Sequence, residues 1–391
     1  MRTLLITGPG GSGRTTVAAA TAQRAAAEGA RTLVLGADRA DTLGAALGVR
    51  TGPVPVSVAP RLTAWRPDAA AGFSDDLAAF QDRAATVLDL LGASRLDPEE
   101  VTPLPGAEEL TLLRALRDAA LAEAHDLLVV DLPPAPQALA LLALPEELRR
   151  YLRRLLPPER QAARALRPML GRLAGVPMPA EWLYETTARW DTELAAVEAV
   201  LADRGTAVRL VAEPGPAGAD AVRDARLGLA LRALPVESLV ANRVLPEDAA
   251  DDGRLGRLGR LVTQQRKTLE EWGAPARPVA HLGHDPRGAD DLAALAVPAV
   301  GPAAAPVGWP VADRLAQDGV LVWRIPLPGA VRDELDLVRR GDELVVTAGP
   351  FRRIVALPSV LRRCTVDGAA LRDGELCVRF APDPALWPRT R

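Results

Sequence analysis

The chain has 391 residues, enough for two or three domains, and its 48% hydrophobic and 25% charged residues are ordinary for a globular protein. A formal net charge of -3 argues against nucleic acid as the main partner. The sequence has no apolar run long enough to cross a bilayer and begins with a strand pattern instead of a signal peptide. We therefore expect a cytoplasmic protein with at most peripheral membrane contact.

The first predicted strand, Arg2–Thr7, leads into a glycine-rich loop and then into an alanine-rich helix, Thr15–Glu28. The loop fits the P-loop pattern G-x-x-x-x-G-K-S/T except for an arginine at the lysine position. It reads Gly8-Pro9-Gly10-Gly11-Ser12-Gly13-Arg14-Thr15-Thr16. Its glycines let backbone N–H groups surround phosphate oxygens, and Thr15 would offer its hydroxyl to Mg²⁺. This order predicts a nucleotide-phosphate site; the alternative is a glycine-rich turn without a ligand.

Arg14 is the main departure from that pattern. Lysine is a compact point charge, whereas arginine is a wider planar fork that would bind phosphate from a different position. Lys267 is the only lysine of the chain, so the overall composition makes such a replacement easier. We still interpret Arg14 as a sign of weakened or altered hydrolysis.

Further apolar strand patterns alternate with helical sequence, which predicts an α/β fold with a parallel sheet wrapped by helices. The predicted strands are Arg31–Leu35, Asp126–Val130, Val208–Ala212 and Leu239–Ala241. A helical insert, at about 144–204, lies between the third and fourth predicted strands. Ligands bind such sheets beyond the carboxyl ends of the strands, so Asp38, Asp131 and Asn242 should share one edge with the glycine-rich loop.

A stretch rich in proline, alanine and glycine divides the chain into a domain at 1–295, a linker at 296–317 and a domain at 318–391. Short strands with closely spaced turns predict an all-β sandwich for the last part. The predicted strands are Val320–Leu327, Glu334–Val338, Glu343–Thr347, Arg353–Leu357 and Glu375–Phe380. Cys364 and Cys377 are too few for a disulfide framework and are expected in the core of this module.

Five motifs follow one another in residues 1 to 300: the loop at 8–16, Asp38-Arg39-Ala40-Asp41-Thr42-Leu43, Pro105-Gly106-Ala107-Glu108-Glu109-Leu110, the segment 131–142 and Asn242-Arg243-Val244-Leu245-Pro246. In this order they resemble the arsenite-pump ATPase family, which includes the ATPase that targets tail-anchored membrane proteins. The last domain resembles the α-crystallin, or small heat-shock protein, domain. The motifs of that likeness lie at 341–346, 357–358 and 371–378.

The first resemblance implies a P-loop NTPase that binds ATP with Mg²⁺. It places Asp38 as the carboxylate that orients the attacking water, Asp131 with Thr15 at Mg²⁺, and Asn242 at adenine. The other implied nucleotide-binding residues are Gly8, Gly10, Gly11, Ser12, Gly13, Arg14, Thr16 and Arg243. The alternatives are a helix cap for Asp38, a strand-end turn for Asp131 and a loop amide for Asn242.

The chain departs from the family at positions that concern hydrolysis. Pro9 replaces the lysine that, in a closed homodimer, reaches the partner's nucleotide, and Arg39 and Asp41 alter the first switch. The second switch loses the polar residues that couple nucleotide state to movement, because the chain has Leu132, Ala135, Pro136, Gln137 and Ala138 there. We expect ATP binding with slow or absent turnover.

By resemblance, the protein would be a homodimeric targeting factor or chaperone for hydrophobic clients. The apolar residues of the insert would then form a client groove; helices packed on their own core are the alternative. The insert's many arginines favour a solvated face over an amphipathic helix on acidic membrane. Two other functions stay open, a non-catalytic scaffold that presents the β-domain and a ParA-like positioning ATPase. Metalloid pumping is not expected, because 1–295 lacks cysteine, and the pair His281 and His284 is a weak metal motif.

Overall fold

The computed structural model describes residues 1–155, 181–247, 256–273 and 276–387, apart from Ala37, Arg39 and residues 86, 87, 90, 91 and 93. Within this part of the chain an α/β domain is followed by a domain of antiparallel strands. The expected fold class is therefore confirmed.

The first domain is built on an eight-stranded sheet in the order β3-β4-β2-β5-β1-β6-β7-β8. All neighbouring strands are parallel except β3 and β4. The strands are β1 (Arg2–Thr7), β2 (Thr32–Gly36), β3 (Val56–Ala59), β4 (Leu62–Trp65), β5 (Leu127–Asp131), β6 (Thr206–Ala212), β7 (Val236–Val244) and β8 (Ala276–Ala280). Since β5, β1 and β6 are buried on both faces, their sequences are continuously apolar apart from a few residues.

Helices cover both faces of this sheet. They are α1 (Arg14–Ala27), α2 (Thr42–Leu47), α3 (Ala69–Arg83), α4 (Ala107–Leu121), α5 (Ala135–Leu155), α6 (Glu181–Ala202), α7 (Pro216–Leu231), α8 (Gly256–Trp272) and α9 (Gly288–Ala294). Apolar residues of α4 to α7 form one core with the sheet, and those of α1, α2 and α9 form a second core on the opposite face. Within the described residues, every helix is too short or too polar to traverse a lipid bilayer.

The helical insert, predicted at about 144–204, starts within a longer helix, because α5 runs from Ala135 through Pro145 to Leu155. The arginines of the insert do not form a purely solvated face, because Arg149 is only 15% exposed and pairs with Asp191 at 3.0 Å on α6. The residues of the predicted pattern between 156 and 180 lie outside the described part of the chain.

The second domain consists of two antiparallel sheets, β14-β15-β10-β9 and β11-β12-β13. The strands are β9 (Val311–Arg314), β10 (Val320–Pro326), β11 (Leu335–Arg340), β12 (Glu343–Ala348), β13 (Phe351–Ala356), β14 (Cys364–Arg372) and β15 (Glu375–Pro382), with the short helix α10 (Leu315–Asp318) after β9. The predicted linker therefore contains a strand, because β9 pairs with β10. Cys364 is buried in the sandwich core, as expected, whereas Cys377 is half-buried.

The sandwich packs directly on the first domain. Leu227 and Leu231 of α7 belong to the sandwich core, and Phe351 of β13 packs against both cores. A Cβ atom on Gly228 would lie 2.5 Å from Leu139 of α5 and 3.2 Å from Phe351. Helices α5 and α7 thus meet strand β13 in close van der Waals contact.

A fully buried arginine joins four segments of the first domain. Arg209 on β6 is 0% exposed and forms a bidentate pair with Glu237 of β7 at 3.0 and 3.1 Å. Its guanidinium also donates to Thr21 on α1 and to the carbonyl oxygens of Pro298 and Ala299. Burial would raise the pKa of Glu237, but hydrogen bonds from Arg209 and Ser238 outweigh it and lower the pKa below its ordinary value. All segments around Arg209 must therefore be in place together.

We expect Glu237→Gln to destabilise the protein by about 3–5 kcal/mol, because it leaves the buried Arg209 charge without its counter-ion. The matched control is Glu28→Gln, which removes a surface partner of Arg24 on α1 and should cost about 0.5 kcal/mol or less. Urea unfolding of both variants at neutral pH measures the difference. Equal losses of stability in the two variants would contradict this role of Arg209.

Candidate functional site

The glycine-rich loop after β1 is packed too tightly for side chains at two positions. A Cβ atom on Gly8 would lie 1.8 Å from the carbonyl oxygen of Val211 on β6. Gly13 has a φ of 82°, and its Cβ atom would lie 2.3 Å from Nδ2 of Asn242. Only glycine fits both positions, so the loop stays close to β6 and β7 and turns its backbone toward the start of α1.

Polar side chains from neighbouring strands hold the carbonyl groups of the loop. Asn242 is buried and donates to the carbonyl oxygen of Ser12 at 2.8 Å. Arg243 donates to the carbonyl oxygen of Gly11 at 3.0 Å and pairs with Glu213, which follows β6. Two loop carbonyl groups are thus engaged, and the N–H groups at the start of α1, which have no intrahelical acceptors, make this end of the helix favourable for an anion.

A local irregularity of β7 directs Asn242 and Arg243 to this place. The register between β7 and β8 shifts between Ala241 and Val244, and Arg243 has a φ of 57°. Such a bulge turns side chains away from the regular alternation of a strand. The strand was predicted to end at Ala241, so the structure places Asn242 inside β7 and not in the following loop.

Asp131, the last residue of β5, is the buried carboxylate of the site. It is 4% exposed, and its Oδ1 has no hydrogen-bond partner within the described residues. Burial raises the pKa of Asp131 to about 7, against the opposing effects of a hydrogen bond with Thr15 and the charge of Arg14. A buried carboxylate oxygen without a partner is costly unless a ligand or ordered water meets it.

Asp38 follows β2 and lies at the same edge of the sheet as Asp131, at the carboxyl ends of the parallel strands. Oδ2 of Asp38 accepts a hydrogen bond from Thr42 at 2.8 Å, and its charge acts to raise the pKa of Asp131. The site therefore brings together the carboxylate of Asp131 and the hydroxyl of Thr15, and Mg²⁺ prefers such hard oxygen donors. Asp131 and Thr15 fit a magnesium ion, and the carboxylate of Asp38 lies near them.

Arg14 contacts the segment after Asp131. Its guanidinium donates to the carbonyl oxygen of Leu132, and it is half-buried at the first position of α1. The loop is bonded to the same segment by its backbone, because the N–H of Ala135 donates to the carbonyl oxygen of Gly8 at 2.9 Å. Arg14 thus links the loop to the start of α5.

The residues that depart from the family pattern have structural partners here. Asp41 caps α2 by accepting from the N–H of Gly44 at 3.0 Å, and it also binds Thr51. Leu132, Ala135 and Ala138 are buried in the core under α5. Arg39 lies outside the described residues.

A cavity of about 330 Å³ opens beside the loop. Its lining includes Thr16, Asn242 and Arg243 on one side and the segment 280–287 after β8 on the other. Its position and size suit a nucleoside next to a phosphate loop. In that segment His281 accepts from the N–H of Gly283, and His284 faces Asp291 at 3.3 Å, so each histidine already has a nearby partner.

The sequence did not indicate Glu213 or the segment 280–287 as parts of this site. Glu213 is the residue after β6, and a carboxylate at a parallel strand end is a signal that could have suggested it. Strand β8 was not predicted, because it is short and contains Pro278, so the loop that follows it had no assigned place.

Comparisons with known proteins agree with this geometry. Residues 1–272 match the family of anion-transporting ATPases of ArsA type, and residues 318–380 match the HSP20-like domain found in ArsA. An uncharacterized protein of Streptomyces coelicolor is 79% identical over the full length of both chains. Protein Rv2184c of Mycobacterium tuberculosis is 35% identical over 99% of this chain and 97% of its own. A candidate arsenical pump-driving ATPase of Aquifex aeolicus is 26% identical over 97% and 99% of the two chains.

We expect Gly8→Ala to destabilise the protein by roughly 1–3 kcal/mol, because its methyl group would push β1 away from Val211 on β6. Gly10→Ala is the matched control, since a Cβ atom there meets no atom within 4 Å. Denaturant unfolding of the two variants measures the difference. A Gly8→Ala protein as stable as Gly10→Ala would show that the loop is not packed as described.

Proposed function

The chain belongs to the family of anion-transporting ATPases of ArsA type, and on this premise we propose that it binds ATP with Mg²⁺ and hydrolyses it slowly or not at all. The observation that carries the proposal is the buried Oδ1 of Asp131. It lacks a partner within the described residues and lies beside Thr15 at the start of α1. A magnesium-bound water is a suitable partner for such an oxygen.

The glycine-rich loop supports the phosphate part of this proposal. Its carbonyl groups at Gly11 and Ser12 accept hydrogen bonds from Arg243 and Asn242. The loop can therefore offer its N–H groups to phosphate oxygens. The cavity beside Thr16 supports the nucleoside part. The amide of Asn242 uses one donor on Ser12 and retains a second N–H and an acceptor for a base.

Slow turnover is proposed from the chemistry of Arg14 and Asp38. The charge of Asp38 acts on Asp131, and we place Asp38 as the carboxylate that orients the attacking water. Arg14, however, donates to Leu132, and one charged hydrogen bond contributes about 1.5–3 kcal/mol. Losing that contribution at the phosphates would weaken binding without abolishing it and would weaken the stabilisation of the transition state as well.

We further propose that the protein is a homodimer and that it binds hydrophobic client proteins, either to target them or to protect them. Support comes from the HSP20-like domain and from apolar side chains at the end of α5, where Tyr151 is 54% and Leu155 is 76% exposed. Pro9 carries no charge, so a contact with the partner's nucleotide would need another residue than in the related ATPases.

The nucleotide proposal predicts that wild type and Asp38→Asn bind MgATP with similar affinity in calorimetric titration, while any turnover by the wild type is slow and is lost in Asp38→Asn. Asp38 acts on the attacking water, so its loss should affect the reaction more than binding. Asp336→Asn on the exposed face of β11 is the matched control and should behave as wild type. Absence of MgATP binding by the wild type would refute the proposal and favour a non-catalytic scaffold.

The client proposal predicts that the full chain keeps a synthetic leucine-rich transmembrane peptide in solution, as measured by light scattering. Leu155→Asp should weaken this protection, because it places a charge on the apolar end of α5. Leu386→Asp, at an exposed leucine of the sandwich, is the control. Equal protection by both variants would exclude this end of α5 as the client surface, and sedimentation velocity of the same samples tests the dimer.

A further inference from the structure

We propose that the C-terminal sandwich restrains the nucleotide site through α5 and α7, two helices that begin at the site and end beneath the sandwich. The inference rests on the proposed nucleotide binding and adds a regulator of that site within the same chain. Docking of the sandwich favours the arrangement in which Arg14 is bonded to Leu132, and release of the sandwich frees Arg14 for phosphate.

Helix α5 is bonded to the glycine-rich loop at its start. It follows Asp131 after three residues, and the N–H of Ala135 donates to Gly8 at 2.9 Å. The hydroxyl of Thr7 donates to the carbonyl oxygen of Pro133 at 2.8 Å, and Arg14 donates to Leu132. Any shift of the start of α5 therefore changes the surroundings of the loop and of Asp131.

The other half of α5 is bonded to the sandwich. Glu146 accepts from Arg353 of β13 at 3.1 Å, and Arg150 and Arg154 pair with Glu343 of β12 at 3.4 and 2.7 Å. Between the two halves lies Pro145, which has no N–H and so removes one backbone hydrogen bond of the helix. This is the point at which the half near the loop and the half near the sandwich are least firmly joined.

Helix α7 makes the second connection. It begins at Pro216, three residues after Glu213, whose carboxylate holds Arg243 on the loop carbonyl of Gly11. At its far end, Leu227 and Leu231 are part of the sandwich core, and the carbonyl oxygen of Leu231 accepts from Arg353 at 2.9 Å. The same arginine of the sandwich thus contacts both helices.

Arg353 is the centre of this interface. Its side chain is only 20% exposed, and it bonds to Glu146 and Leu231 while it lies 5.2 Å from the ring centre of Trp309. Arg232 on the first domain also pairs with Glu146, at 3.4 Å. Removing the Arg353 guanidinium therefore weakens the contact between the sandwich and the two helices. Glu146 still keeps Arg232 as its counter-ion.

The direction of the effect follows from Arg14. Its NH1 group donates to Leu132 in the docked arrangement, so a phosphate oxygen must compete for that donor. A ligand shifts an equilibrium only by its difference in affinity for the two states. Because phosphate gains this donor when α5 is released, MgATP should favour the released state, and release should favour MgATP.

The test is calorimetric titration of MgATP into the full chain and three variants. Arg353→Met and the double variant Arg150→Gln with Arg154→Gln should each bind MgATP at least about five-fold more tightly than wild type. The double variant removes ion pairs that are partly exposed and keeps the test valid if Arg353→Met does not fold. Arg379→Met, which removes a surface pair with Asp367 between β14 and β15, is the control and should bind as wild type.

Hydrogen exchange supplies the reciprocal measurement, since coupling between two events is equal in both directions. MgATP should speed exchange of the β13 amides at 351–356 and leave β15 unchanged. The restraint is overturned if the wild type binds MgATP and neither interface variant changes this affinity, or if either variant lowers it. The nucleotide proposal would be unaffected by that result. Absence of MgATP binding by the wild type and all variants would overturn both.

Discussion

The buried guanidinium of Arg209 binds α1, near the start of the first domain, and the segment 298–299, at its end, and so holds these two parts together. A charge that is entirely out of water is tolerated only when its donors are all bonded, so its partners on α1, on β7 and at 298–299 must assemble together. Helix α1 begins at the glycine-rich loop, and residues 298–301 lead toward the sandwich. The N–H of Gly301 donates to Glu237 at 2.9 Å and closes the cluster. One ion pair therefore positions both the phosphate loop and the route of the chain into the second domain.

Asp131, in contrast to Arg209, is a buried ionisable group with an atom that lacks a hydrogen-bond partner within the described residues. Arg209 has a partner for each of its nitrogen atoms, whereas Oδ1 of Asp131 has none within the described residues, and burial raises the pKa of Asp131 to about 7. The two groups lie in the same sheet, on β6 and β5, with β1 between them. The first is complete in the folded chain and serves stability. The second leaves an oxygen open to a ligand or an ordered water, so burial and hydrogen bonding together indicate a site better than burial alone.

The sequence predicted the central fold because its strands are buried on both faces and its glycine-rich loop has a fixed order of strand, loop and helix. It missed β3, β4 and β8 at the edges of the sheet, since short or half-exposed strands lack a clear apolar pattern. Strand β14 was missed because only Cys364 is buried among its residues. The site residues at 8–16, 38 and 131 share one edge, as the parallel topology requires. Glu213 and the bulge at Asn242 depend on contacts between distant segments, which local patterns do not record.

The exchange of polar for apolar residues after Asp131 explains how a sandwich could influence this site. Burying a leucine such as Leu132 contributes about 1.5–3 kcal/mol, which is the same size as one charged hydrogen bond to a phosphate. In a segment with polar residues, nucleotide contacts would dominate its position. Under the proposed restraint, core packing and nucleotide contacts are of similar size, so the ion pairs of Glu146 and Glu343 at the far end of α5 would be able to shift the equilibrium. On this proposal, the apolar residues expected to slow the site are also the ones that make it responsive to the second domain.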